Sequence, residues 1–323
     1  MRNALKKAGI AHTVLALCLL LLALAPLLTD VFAQPFLLDV LTRIVILAIA
    51  AVSLNLILGY GAMISFGHSA YLGIGAYAVG IPAYYEIYSA WVHLPIAIAA
   101  SALFALLTGI VCLRTRGVYF IMVTLAFTQM IYFALVSIEE YGGDDGLTIE
   151  VRSEVSNLVT LENDIVLYYV ALAFLFVSLY LVYRLVYSRF GMVIRGSKGN
   201  EERMQAMGFN TFRYRLVCYV ISGAMCGAAG WLLGNFTSFI TPEMMDWTRS
   251  GELIFMVVLG GAGSVIGPVL GTAAFIALEE VLSGITIYWQ LIFGPILILF
   301  VLFVRGGLDG LLRSLDERLR RTP

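Results

Sequence analysis

Charge is what this sequence has least of. Lys, Arg, Asp and Glu make up 13% of its 323 residues, about half the share found in ordinary soluble domains. With 61% of the residues hydrophobic, there is too little polar surface to cover a soluble globule of this size. Histidine is scarce too: His12, His68 and His93 are far apart and form no H-x-x-x-H pair. The four cysteines, Cys18, Cys112, Cys218 and Cys226, form no C-x-x-C and lie in or at the ends of apolar runs. They read as small hydrophobes rather than metal ligands or disulfide partners. There is no G-x-x-x-x-G-K-(S/T), no G-x-S-x-G and no G-x-G-x-x-G, so no enzyme active site is visible. A basic groove interleaved with aromatics, which single-stranded nucleic acid requires, is also missing.

What is present is a series of long apolar runs. About 20 apolar residues cross a bilayer as a helix. The runs 10–29, 37–58, 62–83, 93–113, 117–138, 165–187, 216–240 and 287–304 meet that length, while 251–283 is too long and too interrupted for one span. Arg2, Lys6 and Lys7 precede the first run and "VFAQ" follows it, as in a signal peptide. Because the run exceeds the roughly 7–15 residues of a signal core, the expectation is an uncleaved first span. No soluble domain fits between the runs. The fold class expected is all-α: a polytopic membrane protein of about 8–10 transmembrane helices, forming one domain over 1–323.

The few charges are segregated. Basic residues cluster at Arg2, Lys6 and Lys7, at Arg114 and Arg116, at six positions in 188–215, and in the tail 305–323. The 139–164 loop instead carries eight acidic residues and one Arg. Excess Lys and Arg mark cytoplasmic loops, so both termini and the 188–215 loop are expected inside, and 139–164 outside. Parity then requires 251–283 to enter and return, either as a re-entrant pair of half-helices or as two tight crossings. Its centre, "VLGGAGSVIGP" (258–268), is a candidate break, with Pro268 opening the second helix. Leu308, Leu311, Leu312, Leu315 and Leu319 in the tail fall at helical spacing opposite arginines, the pattern of an interfacial helix.

Glycine, a poor helix former, is abundant where helices are expected. "LGYGAMISFGHSAYLGIGAYA" (58–78) and "LGGAGSVIGPVLGTAAFIA" (259–277) share an LG, small-residue, serine, glycine, LG pattern. Two such segments of opposite sense would form an inverted repeat, with a pathway at the repeat interface. Small-residue helix packing explains the same glycines, and the two readings stay open. Pathway candidates are Ser65, Gly67, His68, Gly73 and Gly75 in the first segment. The second supplies Gly260, Gly261, Gly263, Ser264 and Gly267. Thr124, Thr128 and Gln129 sit near the middle of the 117–138 run, where they could line a pathway or bond between helices. His68 is expected to make one interhelical hydrogen bond. Asp39 and Arg43 are spaced i, i+4 and are expected to pair locally. Glu252 is expected near the outer face, at a helix N-terminus.

Five segments in order resemble one family: "LNLILGYGAMISFGHSAYLGIGAYAVG", "YFIMVTLAFTQMIYF", "GGDDGLT", "RFGMVIRGSKGNEERMQAMGFNTFRYRL" and "FMVVLGGAGSVIGPVLGTA". They are similar to the permease subunits of branched-chain amino acid ABC importers, over about 55–305. The resemblance implies a second homologous permease subunit, two ATP-binding subunits that hydrolyse ATP, a periplasmic substrate-binding protein, and a prokaryotic inner membrane. It also places an ATPase-coupling segment in the 188–215 loop. There "GNEERMQAMGFN" predicts a short helix with Glu201 and Glu202 in its first turn and Gly208 just past its end. Coupling candidates are Arg195, Lys198, Asn200, Glu201, Glu202 and Gly208. The family's usual alanines after the glutamate are replaced by Arg203 and Met204 downstream of Glu202, which leaves the docking face open. A urea or short-amide permease would share this architecture. A self-contained secondary carrier would be expected to show ionisable residues in mid-span, where the runs offer almost none.

Overall fold

The computed structural model describes residue 26 and residues 35–156, 159–304, 306–312 and 314. The expected first span (10–29) and most of the tail helix lie outside the described residues. Eleven named α-helices follow in order: α1 (Pro35–Gly61), α2 (His68–Tyr84), α3 (Ala90–Cys112), α4 (Val118–Val136), α5 (Asp164–Val186), α6 (Arg189–Gly199), α7 (Glu201–Ala206), α8 (Thr211–Thr237), α9 (Trp247–Gly260), α10 (Gly267–Ile285) and α11 (Trp289–Phe303). Among the described residues, α1, α3, α4, α5, α8 and α10 are long and apolar enough to cross a membrane. The chain is an all-α polytopic membrane protein.

The charge pattern separates the two ends of the molecule. At one end lie the turn after α3, the α6–α7 segment, the start of α8 and the segment after α11. Arg116 there pairs with Glu201 at 3.4 Å, and Gly306 and Gly307 pack against Gly261. The 139–164 loop lies at the opposite, acidic end. Two short antiparallel strand pairs form there, Leu147–Thr148 with Phe239–Ile240 and Glu154–Ser156 with Val159–Thr160.

α1 and α8 form the centre. Both are 27 residues long and mostly buried, and they run antiparallel: Ser53 faces Ser222, and Leu56 faces Cys218. Association of helices within lipid depends on close packing of small residues, and this chain supplies them. Gly75 of α2 lies against the backbone of Gly227 and Gly230 of α8, and Gly260 of α9 against Gly267 and Gly271 of α10. α3 and α4, by contrast, leave most of their surface uncovered.

The 62–83 run is not a full span. The chain leaves α1 at Gly61, turns through Ala62 at φ 54°, and returns without helix to His68, where α2 begins. The second half of the chain repeats this in reverse. α8 ends at Thr237, residues 238–246 return, and α9 begins at Trp247. α2 then runs toward the acidic end, where Tyr85 reaches Glu140 at 3.4 Å, while α9 runs toward the basic end, where the chain after it meets Asn55. α3 and α4 follow α2 as α10 and α11 follow α9. An inverted repeat is therefore present, but the counterpart of 62–84 is 238–260 rather than 259–277. The two LG-rich segments both start at the basic end of the molecule, where Gly59 and Gly263 touch. A likeness in small residues reflected a shared packing need there, not a symmetry relation.

The long 251–283 stretch resolves into α9 and α10, separated by a turn at 261–266 that lies at the basic end and not at mid-depth. Gly261 (φ 112°) and Gly263 (φ 88°) make that turn, in a region that favours glycine. Pro268 sits in the first turn of α10, as expected. Arg43 pairs with Glu279 of α10 at 3.0 Å and not with Asp39. The incoming helix offers a less exposed carboxylate, which holds α10 against α1 near the acidic end.

Candidate functional site

The N-termini of α2 and α9 meet about halfway along α4 and α8, and polar side chains join them. Ser69 N–H donates to Ser250 Oγ at 2.9 Å, and Ser250 Oγ–H donates to Phe66 O at 2.7 Å. Ser69 Oγ–H donates to Met245 O at 3.1 Å. α4 pins the same point from its other side. Thr124 Oγ1 accepts from Phe66 N–H at 3.1 Å, and Thr128 Oγ1 lies 3.0 Å from Phe66 O. Ser65 Oγ accepts from Gly67 N–H at 3.1 Å. Irregular backbone at membrane depth needs such partners, because hydrocarbon offers none. Thr124, Thr128 and Ser65 thus hold the 62–67 return, a role their i, i+4 spacing suits.

Gln129 continues the row. Its Nε2 donates to Asp246 Oδ1 at 3.2 Å, while Asp246 caps α9 through Thr248. Arg249 and Glu252, on the first turns of α9, pair at 3.0 Å with side chains 48% and 37% exposed. Glu252 therefore lies near mid-depth, one half-turn from Ser250, and not at the outer face. Asp246, Arg249 and Glu252 are the mid-depth ionisable groups that the apolar runs did not show. Their signal was the short polar stretch "MMDWTRSGE" between two runs, whose depth does not show because half-depth returns leave no mark in hydropathy.

His68 opens α2 and is fully buried, facing α8 and α1 rather than this open face. Ser222 Oγ–H donates to Ser53 O at 2.6 Å, so His68 Nε2–H must be the donor to Ser222 Oγ at 2.9 Å. That is the single interhelical bond expected. Gly73 receives the side chain of Met245, and Gly75 lies at the α2–α8 crossing.

Gly260, Gly261, Gly263, Ser264 and Gly267 form the separate turn at the basic end. A residue with no place among the sequence candidates organises it. Asn55 of α1 donates through Nδ2 to Ser264 O at 2.7 Å and accepts through Oδ1 from Gly263 N–H at 2.9 Å. Ser264 Oγ accepts from Gly267 N–H at 3.2 Å, at the start of α10. An asparagine inside "VSLNLILG" was the available signal, since a buried amide in a membrane helix needs partners. The α6 helix joins the same point, with Lys198 Nζ donating to Gly59 O at 2.7 Å.

The α6–α7 segment is a compact, capped unit. Asn200 Oδ1 accepts from Arg203 N–H at 2.8 Å as the cap of α7. Gly208 (φ 89°) closes α7 with Phe209 N–H bonded to Met204 O, the glycine stop expected. Arg195 lies over the Tyr187 ring at 5.7 Å. Glu201 faces inward, accepting from Thr211 and Arg215 and pairing with Arg116. The outward face is Glu202, Arg203, Met207 and Phe209, all exposed. Reversing charge at Glu201 would gather three cations without a counter-charge. Glu201→Lys should therefore lower the melting temperature and protein yield, while Glu202→Lys should leave both unchanged. Equal melting curves for the two would show that the internal ion cluster contributes nothing.

Comparison with known proteins matches this arrangement to one family. Residues 36–302 fit the model described as "Branched-chain amino acid transport system / permease component". The chain is 28% identical over 315 residues to the high-affinity branched-chain amino acid transport system permease protein LivM of Salmonella typhimurium, covering 89% of this chain and 74% of that protein. The same values hold for LivM of Escherichia coli K12. LivH of E. coli K12 is 32% identical over 127 residues, 38% of this chain and 41% of LivH. No solved structure matches significantly. The chain belongs to the family of permease components of branched-chain amino acid transport systems.

Proposed function

We propose that this chain is the membrane-spanning permease subunit of an ABC importer that moves branched-chain or related amino acids across a prokaryotic inner membrane. The observation that carries the reading is the mid-depth meeting of two oppositely directed half-helices beside an open face. That face exposes Arg249 and Glu252 together with Ile64, Trp247 and Phe255. Half-exposed charges at this depth are costly in hydrocarbon and belong against protein or water. A second, homologous permease subunit covers the face, and the substrate passes between the two. The resemblance of the chain to both LivM and LivH suits such a pairing.

The α6–α7 segment, with its exposed Glu202, Arg203, Met207 and Phe209, docks one of two ATP-binding subunits on the cytoplasmic side. Lys198 ties the segment to Gly59, and through the Gly59–Gly263 contact to the α9–α10 turn, so motion at the docking face reaches α9. A periplasmic binding protein delivers substrate at the acidic end.

Vesicles holding the permeases and the ATPase, with the binding protein supplied outside, should take up labelled leucine only when ATP is enclosed in the lumen on the ATPase side. ATP-independent uptake would identify a secondary carrier instead. Cysteines placed at Asp145 and at Glu202 should label from opposite sides of intact cells, Asp145 from outside. Labelling from the same side would overturn the orientation.

A further inference from the structure

A cavity of about 270 Å³ opens beside the half-helix junction, where α1, α2, α8 and α9 converge. Its wall is aliphatic and sulfur-rich, with Leu47, Leu72, Leu233, Met244, Leu253 and Met256. Its charged end consists of Arg43, Arg249 and Glu252. Thr237 stands at the rim and is exposed. The volume lies just below the usual span for small-molecule sites, and the combination of apolar walls with a few placed polar groups is what such sites share.

The charges define the ligand. Arg249 is already paired with Glu252, and Arg43 with Glu279, each at 3.0 Å. The local charge is therefore balanced, and a ligand carrying net charge would leave an uncompensated ion at membrane depth. A zwitterion avoids that penalty. Its carboxylate can take a guanidinium fork and its ammonium can take Glu252, so that two ion pairs replace one. A compact aliphatic side chain then fills the apolar wall, which has no polar group to receive a hydroxyl or amide.

We infer that this cavity is a binding site for a zwitterionic aliphatic amino acid inside the permease subunit itself, with Arg249 and Glu252 holding the α-carboxylate and α-ammonium and Leu233 and Leu253 contacting the side chain. The inference rests on the amino-acid permease reading, and it places substrate selection within this chain in addition to any partner that delivers the substrate.

The test uses the full chain in lipid nanodiscs, carrying Cys18→Ser and Thr237→Cys, with the rate of maleimide labelling as the readout. The native cysteines at 112, 218 and 226 are buried. L-Leucine at millimolar concentration should slow labelling at least threefold. Isobutylamine and isovalerate, which each carry one of the two charges, should not. Arg249→Gln and Glu252→Gln should each abolish the protection, and the double variant Arg249→Gln/Glu252→Gln, which leaves no lone ion of the pair, should abolish it while keeping the wild-type melting curve. Leu233→Ala should shift protection toward phenylalanine, a change of selectivity that loss of packing alone would not produce. Protection by isobutylamine or isovalerate equal to that by leucine would overturn the proposal, as would no protection by leucine or full protection in both charge variants. ATP-driven uptake is read separately. Uptake without protection overturns this site and leaves the permease reading standing, and protection without uptake does the reverse.

Discussion

Asn55→Leu should abolish transport and strongly destabilise the protein. Leucine matches asparagine in size, so no cavity forms. What is lost is the pair of hydrogen bonds to Gly263 N–H and Ser264 O, 2.9 and 2.7 Å from the amide. Asn55 is fully buried, and the freed backbone groups would have no water to replace it. A buried polar group left unpaired costs about 1–3 kcal/mol, so two cost roughly 2–6 kcal/mol, comparable with the whole stability of many domains. The turn they hold has two residues at positive φ and cannot retreat into helix. Ser264→Ala removes only the hydrogen bond to Gly267 N–H and should cost about 1 kcal/mol. Thermal unfolding in detergent, with uptake measured beside it, separates the two. If Asn55→Leu melts within a degree or two of the wild type, the amide is not what holds the turn.

That asparagine shows where the sequence is readable and where it is not. The long spans, the end-to-end segregation of charge, the capped α7 and the helix start at Pro268 are all written in local patterns. Hydropathy, Lys and Arg placement, an Asn before two glutamates and a proline after glycines each act within a few residues. The half-depth returns at 62–67 and 238–246 have no such signature. Their backbone groups are satisfied by Thr124, Thr128, Ser250 and Ser69, and Ser69 and Ser250 alone stand 181 positions apart. No window along the chain brings them together. The repeat suffered in the same way. Comparing glycine-rich strings paired 58–78 with 259–277, whereas the structural counterpart, 238–260, is poor in glycine and held by serine, aspartate and a 3₁₀ turn (Pro242–Met245). Symmetry here is carried by the direction and depth of the helices rather than by the residues that build them.

Arg43 gives a smaller example of the same limit. Its i+4 spacing from Asp39 is a genuine local opportunity, worth a few tenths of a kcal/mol on a helix surface. Glu279, 236 residues away, offers a half-buried carboxylate at 3.0 Å. Weak screening at that depth favours the distant partner, and the choice is invisible until α10 is placed against α1.

The glycines call for two different outcomes. Gly75→Leu should eliminate folded protein, whereas Gly263→Leu should insert and fold but fail to transport. At Gly75 an added Cβ would meet the carbonyl of Gly227 and the Cα of Gly230. Both are backbone atoms on a central helix, so neither can move aside like a flexible side chain. α2 and α8 would have to separate along their whole crossing, and within lipid the close approach of backbones is itself what holds helices together. At Gly263 the space is tight but not closed, with Gly59 O 3.3 Å from the added Cβ. The cost there is mainly conformational, since φ 88° suits glycine and a non-glycine residue pays about 1–3 kcal/mol to hold it. The turn would shift locally, slackening the contact between Gly59 and Gly263 through which α6 reaches α9. Size-exclusion profiles and leucine uptake, measured for both variants, distinguish the cases. Folded, monodisperse Gly75→Leu protein would show that the α2–α8 crossing has slack the geometry does not reveal. Normal uptake by Gly263→Leu would show that the turn at the basic end takes no part in linking α6 and α7 to the half-helix junction.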